Sequence, residues 1–272
     1  MKKQLITLSA LILTGAITFT ACKKTTTPTP APATTTTGGS SSPSTATPAT
    51  PSDANGVLVA LKLHTGTTTN IPGYGPYTTF INIDGGIGLF PTAAGGSTYQ
   101  DAGTVTINTT NLDKQTDNQY NKIQQVNQAN FNISNQVKWT VTGNTNVPAV
   151  TNFTSTTPPV YDTTYFAGLL TSNTITRANG LSFNINSYVS NKVNGDSVIC
   201  VLVGGGSTKL VKTVSAYASS MSFTASELAA LSTTTTGQFQ VTPYHQTNQT
   251  FSGKKYYFIS EQAYVKTGVT IN

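Results

Sequence analysis

Residues 136–143 read QVKWTVTG, with Val137, Trp139 and Val141 at every second position and Lys138, Thr140 and Thr142 between them. That period of two belongs to a half-buried β-strand, and no other feature constrains the fold as strongly. It recurs along the chain. GLSFNIN (180–186) alternates Leu181, Phe183 and Ile185 with Ser and Asn. VLVALKL (57–63) puts Val57, Val59, Leu61 and Leu63 on one face, with a partly apolar second face. QFQVTPYHQ and KKYYFISEQAYVKTGVTI continue the theme, and SVICVLVGG (197–205), apolar on both faces, reads as a central strand. Asp84-Gly85-Gly86, Asn179-Gly180, Asn194-Gly195, Gly204-Gly205-Gly206 and Gly237 read as turns between the runs.

Helical signal is scarce. FTASELAALS (223–232) carries Thr224 and Glu227 at capping-box spacing, with Leu228 and Leu231 set to face the core, so one or two turns are expected there. Residues 112–131 are rich in Asn and Gln and read as a long loop or an edge hairpin.

The chain opens MKKQLITLSALILTGAITFTAC. Lys2 and Lys3 precede a mostly apolar run from Leu5 to Phe19, about 15 residues, too short to cross hydrocarbon about 30 Å thick comfortably. This is the shape of a secretory signal, with the small residue Ala21 at the cut and Cys22 after it. Phe19-Thr20-Ala21-Cys22 resembles the lipobox of bacterial lipoproteins, with Phe where Leu, Val or Ile is usual. The resemblance implies a diacylglycerol on the Cys22 thiol and an acylated new amino terminus, and two or three acyl chains hold far better than one. Residues 23–53 then run KKTTTPTPAPATTTTGGSSSPSTATPATPSD, without an aromatic residue or an aliphatic one larger than Ala. Such a segment cannot bury enough apolar surface to offset its ordering entropy, so a disordered tether is expected.

The formal charge of +6 overstates the basicity of the body. Lys2, Lys3, Lys23 and Lys24 take four of the 15 basic residues and Asp53 one of the 9 acidic ones, leaving 11 against 8 from Ala54 onward. Lys254-Lys255 is the only cluster, whereas phosphate-backbone binding needs several grouped cations, so nucleic acid is not an expected partner. With Cys22 acylated, Cys200 is left without a disulfide partner inside a β-branched apolar run and reads as a small buried hydrophobe.

The expected fold class is all-β: two β-sandwich domains in series, the second immunoglobulin-like. Residues 1–21 would be the lipoprotein signal peptide and 22–53 the lipidated cysteine and linker. Residues 54–147 would form the N-terminal sandwich and 148–272 the C-terminal one, with Trp139 as a core anchor. The lipobox and Thr/Pro linker, TYQDAGTVTIN (98–108), VKWTVTGNTNVP (137–148) and SFTASELAAL…TGQFQVTPY (222–244) together resemble a group of uncharacterised lipoproteins of Bacteroidota-like bacteria. That group lends no activity. It implies an outer-membrane location, with the periplasmic or surface face open. Lys23 and Lys24, where surface-exported members carry acidic residues, lean towards the periplasm. Asp162-Thr163-Thr164 and Asp196-Ser197-Val198 are similar to the O-glycosylation triplet of those bacteria, making Thr163 and Ser197 candidate acceptors.

Gly195-Asp196-Ser197 resembles the nucleophile block of a lipase and esterase family, but no Asp follows and only His245 lies beyond, and no G-x-S-x-G elbow exists. Eight scattered body acids give no carboxylate pair for glycoside cleavage. Asn82-Ile83-Asp84-Gly85-Gly86 starts like a calcium loop but lacks the later carboxylates and closing Glu, so a hairpin turn explains it better. His64 and His245 have no metal-ligand neighbour in sequence and are expected at the surface or at strand ends, so no metal and no cofactor are expected. NIPGYGPY (70–77) places Tyr74 and Tyr77 in a Gly/Pro loop, the candidate ligand site, with flat faces suited to a sugar or peptide. YDTTYF (161–166), with Tyr161 and Tyr165, is a second candidate. The expected role is that of a membrane-anchored, non-catalytic structural or binding protein, meeting a glycan or an envelope protein. The alternatives are a carbohydrate-binding accessory protein of a glycan uptake system and a hydrolase with a shallow carboxylate site.

Overall fold

The computed structural model describes residues 34–37, 48, 50–71, 75–123, 131–170, 172–206 and 208–272, with side chains given outside 34–37, 66–71 and 75–81. The expected signal segment, Cys22 and most of the expected linker lie outside the described residues.

The first strands are β1 (Thr34–Thr37), β2 (Gly56–Ile71), β3 (Gly75–Leu89), β4 (Val105–Ile107), β5 (Thr110–Asn111), β6 (Asp113–Lys114) and β7 (Tyr120–Ile123). They are followed by β8 (Val137–Val141), β9 (Val150–Ser155), β10 (Val160–Tyr161), helix α1 (Thr163–Gly168), β11 (Thr174–Ile175), β12 (Leu181–Asn184) and β13 (Val189–Ser190). The last are β14 (Ser197–Val203), β15 (Thr208–Ser215), β16 (Ser220–Phe223), helix α2 (Ala225–Leu228), β17 (Thr234–Phe251) and β18 (Lys254–Ile271).

The chain is all-β, with sheets packed face to face. A ten-stranded sheet runs in the order β1-β15-β14-β17-β18-β2-β3-β7-β6, with β11 beside β18, and a four-stranded sheet runs β5-β4-β8-β9. The alternation of 136–143 is realised in β8, where Val137, Trp139 and Val141 are buried. β14 lies inside the sheet between β15 and β17, as its doubly apolar pattern requires. Thr224 and Glu227 form the capping box of α2, and Leu228 and Leu231 are buried behind it. The 112–123 stretch forms the edge hairpin β6–β7, while 124–130 fall outside the described residues.

Two apolar cores sit on one face of the large sheet. In the first, Leu58, Ala60, Tyr256 and Phe258 meet Val105, Ile107, Val137, Trp139 and Val150 of the four-stranded sheet. In the second, Val198, Cys200, Leu202, Phe239, Val241 and Tyr264 meet Phe166, Phe183, Met221, Phe223 and Leu228. A cut at 147/148 does not follow this topology, because β2 pairs in parallel with β18 from Gly56↔Tyr256 to Gly66↔Lys266. Each 18-residue strand of the β17–β18 hairpin is long enough to serve both cores in turn. The ordered body also begins before Ala54: Pro48 is buried, and Asp53 of the expected linker binds the Lys255 ammonium and accepts the Tyr257 hydroxyl.

Two glycine signals read as turns lie inside strands. Gly237 sits in β17 at a break of register opposite β18, where a Cβ would meet the carbonyls of Val203 and Val269 at 2.8 Å. Gly268, at φ 71°, falls at the same bulge. One extra residue there reverses the alternation, so that Val269 and Ile271 join the core that Tyr264 enters from an even-numbered position. Gly85 and Gly86 lie in β3 opposite β7, and a Cβ on Gly86 would stand 2.8 Å from Leu112 and 3.3 Å from Ile107. The absent side chain lets the edge hairpin lie close on the sheet. Gly86→Val should therefore cost about 1–3 kcal/mol in urea unfolding. It should also speed amide exchange in Tyr120–Ile123 without affecting β14.

Candidate functional site

The tyrosine loop expected over 70–77 is mostly strand. The β2–β3 ladder continues through Thr69↔Tyr77, Asn70↔Pro76 and Ile71↔Gly75, so that only 72–74 lie between paired residues. Among the described residues β7 pairs β3 only over Gly85–Gly88, so no described N–H-accepting strand lies beyond β3 at Pro76, where a proline can sit in an edge. Tyr74 lies outside the described residues, as does the side chain of Tyr77. In the second tyrosine stretch, Tyr161 is buried in a core, and the Tyr165 ring stacks on Tyr188 at 3.4 Å between centroids. Tyr161 therefore offers no face to a ligand.

Thr163 is exposed as the first residue of α1, with the Asp162 carboxylate capping the helix through Tyr165 N–H. Ser197 is half-buried in β14 between Ser215 and Tyr244, and its side chain bonds the Tyr244 phenol.

The histidines are placed differently from the expectation. His245 lies within β17, and its Nδ1 is 2.6 Å from Oδ1 of Asp196, a carboxylate only 1% exposed. The other Asp196 oxygen accepts Val193 N–H. His64 lies within β2, its Nδ1 2.7 Å from Asn82 Oδ1 and its ring stacked on Tyr264. The sequence separates Asp196 and His245 by 49 residues, and only the β14–β17 register brings them together. Ser197 is in register with Tyr244 and not with His245, so serine and imidazole point to opposite faces of the sheet. The cross-strand neighbour of His245 is Ser260, fully buried and 3.3 Å from the Ser155 hydroxyl. Among the described residues neither Ser197 nor Ser260 offers an accessible hydroxyl to the imidazole, and the pair links the start of β14 to β17. Among the described residues no group of three His, Cys, Asp or Glu side chains converges to hold a metal.

The face of the large sheet turned away from both cores carries the least expected chemistry. Register and alternation place Ser197, Ile199 and Val201 of β14 there, with Gln238, Gln240, Thr242 and Tyr244 of β17. Glu261, Ala263 and Val265 of β18 and Leu61 and Leu63 of β2 complete it. The alternation in QFQVTPY suggests a solvated side for these polar residues, yet Gln238, Gln240, Thr242 and Glu261 are all buried. Gln238 Nε2 reaches Gln240 Oε1 at 3.4 Å and Gln240 Nε2 donates to Thr242 Oγ1 at 2.9 Å, forming a ladder along β17. Burial pushes the Glu261 carboxyl up to about 8, and its Oε2 has no hydrogen-bond partner among the described residues. Burial likewise raises the Tyr244 phenol. Glu261 and Asp196 face opposite sides of the sheet, so they cannot flank one scissile bond.

Comparison with protein-family models, with curated proteins and with solved structures finds no match.

Proposed function

We infer that this chain is a lipid-anchored protein of the bacterial cell envelope with a non-catalytic, structural or binding role. The observation that carries the reading is Phe19-Thr20-Ala21-Cys22 at the end of an apolar run, followed by Lys23-Lys24 and a Thr/Pro tether. Two structural facts support it. The other cysteine, Cys200, is fully buried with its thiol pushed well up by that burial, which leaves Cys22 as the residue fit for modification. The partly buried imidazole and the block serine face opposite sides of the sheet, so this serine is not set beside that base. Acyl chains at Cys22 would hold the body at an outer membrane, and the sheet surfaces would meet a glycan or an envelope protein.

Mature protein should carry an amino-terminal peptide heavier by two or three acyl chains, and should partition into the detergent phase of a cloud-point extraction. Cys22→Ser should move it to the aqueous phase with an unchanged melting temperature, since both described cores are built from residues between Leu58 and Ile271. An unmodified thiol, or equal partitioning of the two forms, would refute the reading.

A further inference from the structure

At the β6 edge of the large sheet, the loop that follows β3 meets the turn between β6 and β7. Ser97, Thr98, Tyr99, Asp117, Asn118 and Gln119 line a cleft there, open to solvent on one side. Its volume is about 330 Å³, at the small end of the range for ligand sites. It shares no residue with the Asp196–His245 pair and does not include Glu261.

Both walls are held in place. In the loop, Pro91 bridges to Tyr99 and Thr92 N–H donates to Thr98 O at 2.8 Å. The Tyr99 ring rests on the apolar cluster of Ala54, Val57 and Leu89. In the turn, Gln115 N–H donates to Gln119 O and Asn118 N–H returns to Gln115 O. Asn118 takes φ 63°, a conformation asparagine adopts more readily than most residues. Its Nδ2 donates to Tyr99 O at 3.3 Å and joins the two walls.

Much of the polar capacity in the cleft is left for a ligand. Gln119 N–H and Nε2 donate to the two Asp117 oxygens at 3.1 and 2.7 Å, and each oxygen keeps a further lone pair. Asn118 Oδ1, Gln119 Oε1 and the hydroxyls of Ser97, Thr98 and Tyr99 have no hydrogen-bond partner among the described residues. Burial, and then the nearby Asp117 charge, pushes the Tyr99 phenol up, so it stays a donor.

These groups select the class of ligand. No Lys or Arg lines the cleft, and the lysines of the adjoining hairpin are paired, Lys114 with Asp101 at 2.8 Å and Lys122 with Asp113 at 3.1 Å. An anion would therefore meet the Asp117 carboxylate uncompensated. A metal ion would find a single carboxylate. An apolar ligand would strip water from the polar lining without replacing its hydrogen bonds. A sugar matches: its hydroxyls donate to Asp117, Asn118 Oδ1 and Gln119 Oε1 and accept from the Ser97, Thr98 and Tyr99 hydroxyls, while its C–H face lies on an aromatic ring.

We propose that the cleft between residues 97–99 and 117–119 binds a neutral sugar, its C–H face against Tyr99 and its hydroxyls on Asp117, Asn118 and Gln119. This rests on the binding role inferred above and not on the anchor.

Amide NMR of the nitrogen-labelled mature chain, titrated with the methyl glycosides of glucose, galactose, mannose and N-acetylglucosamine, tests this. At least one glycoside should shift the amides of 97–99 and 117–119, with a Kd on the order of 1 mM, the scale for so small a ligand. Tyr99→Phe keeps the ring and should weaken binding about threefold to tenfold; Asp117→Ala, at an exposed position, should weaken it about tenfold or more. Both variants should melt close to the parent. The full chain carrying Cys22→Ser should bind as the mature chain does, so a failure of anchoring is read separately from a failure of binding. No shift with any of the four glycosides at concentrations about a hundredfold higher would overturn the proposal. So would shifts confined to other amides, binding unchanged in both variants, or a response of these amides to calcium chloride and to none of the glycosides.

Discussion

Glu261→Gln should make the protein more stable at neutral pH, by about 3 kcal/mol at pH 7, and should flatten the dependence of stability on pH. Burial raises this carboxyl from its ordinary value near 4.5 to about 8. Between those values the folded chain keeps a proton that the unfolded chain releases. Stability is therefore greatest below about pH 4.5 and falls as pH rises, by about 1.4 kcal/mol per unit until the folded group ionises near 8. The neutral amide keeps the shape of the side chain and removes the proton. Urea unfolding of both forms at pH 4.5 and pH 7.5 reads the effect directly. The two should be close at the lower pH and well separated at the higher. A gap that does not change with pH would mean that Glu261 is hydrated or paired in solution.

Trp139→Ala should cost about 3–5 kcal/mol, the range for deleting a large aromatic side chain from a core. Trp139 is fully buried on β8, opposite Ile107 on one side and Phe153 on the other. Its indole Nε1 has no hydrogen-bond partner among the described residues. An unpaired buried N–H is a cost already present in the native protein. Trp139→Phe gives up that donor and keeps most of the ring, so it should recover more than half of the loss seen with Ala. Because Trp139 is the only tryptophan, far-ultraviolet circular dichroism is the probe for both variants. Equal losses for Ala and Phe would indicate that the indole N–H is satisfied, by water for instance, and that its bond matters as much as the ring's volume.

Local chemistry was legible where one short stretch contains its own cause. The capping box of Thr224 and Glu227, the alternation of Val137, Trp139 and Val141, and the doubly apolar run of β14 each depend on neighbours within a few residues, and each appears as read. Glycine was the weakest guide. Gly86 and Gly237 carry the same letter as a turn residue, but the reason for each lies in a distant segment: Leu112 against one, the Val203 and Val269 carbonyls against the other. The candidate chemistry was less legible still. Asp196 and His245 meet only through strand register. The polar side of β17 carries the alternation of a solvated strand, and nothing in QFQVTPY tells a face covered by protein from one covered by water.

The sequence by itself determined that the body is strand-built and placed the short helix at 225–228. It also identified Trp139 and Cys200 as core residues. Hydrophobic period, capping and β-branched content act over a few residues and leave their mark in order along the chain. Only the tertiary structure decided that β2 lies parallel to β18 and that two cores share one sheet. It alone decided that Asp53 is pinned to Lys255 and that Glu261 is shut away from solvent. Those outcomes depend on which segments approach one another across up to two hundred residues, and pairing, burial and pKa follow from that approach and not from local pattern.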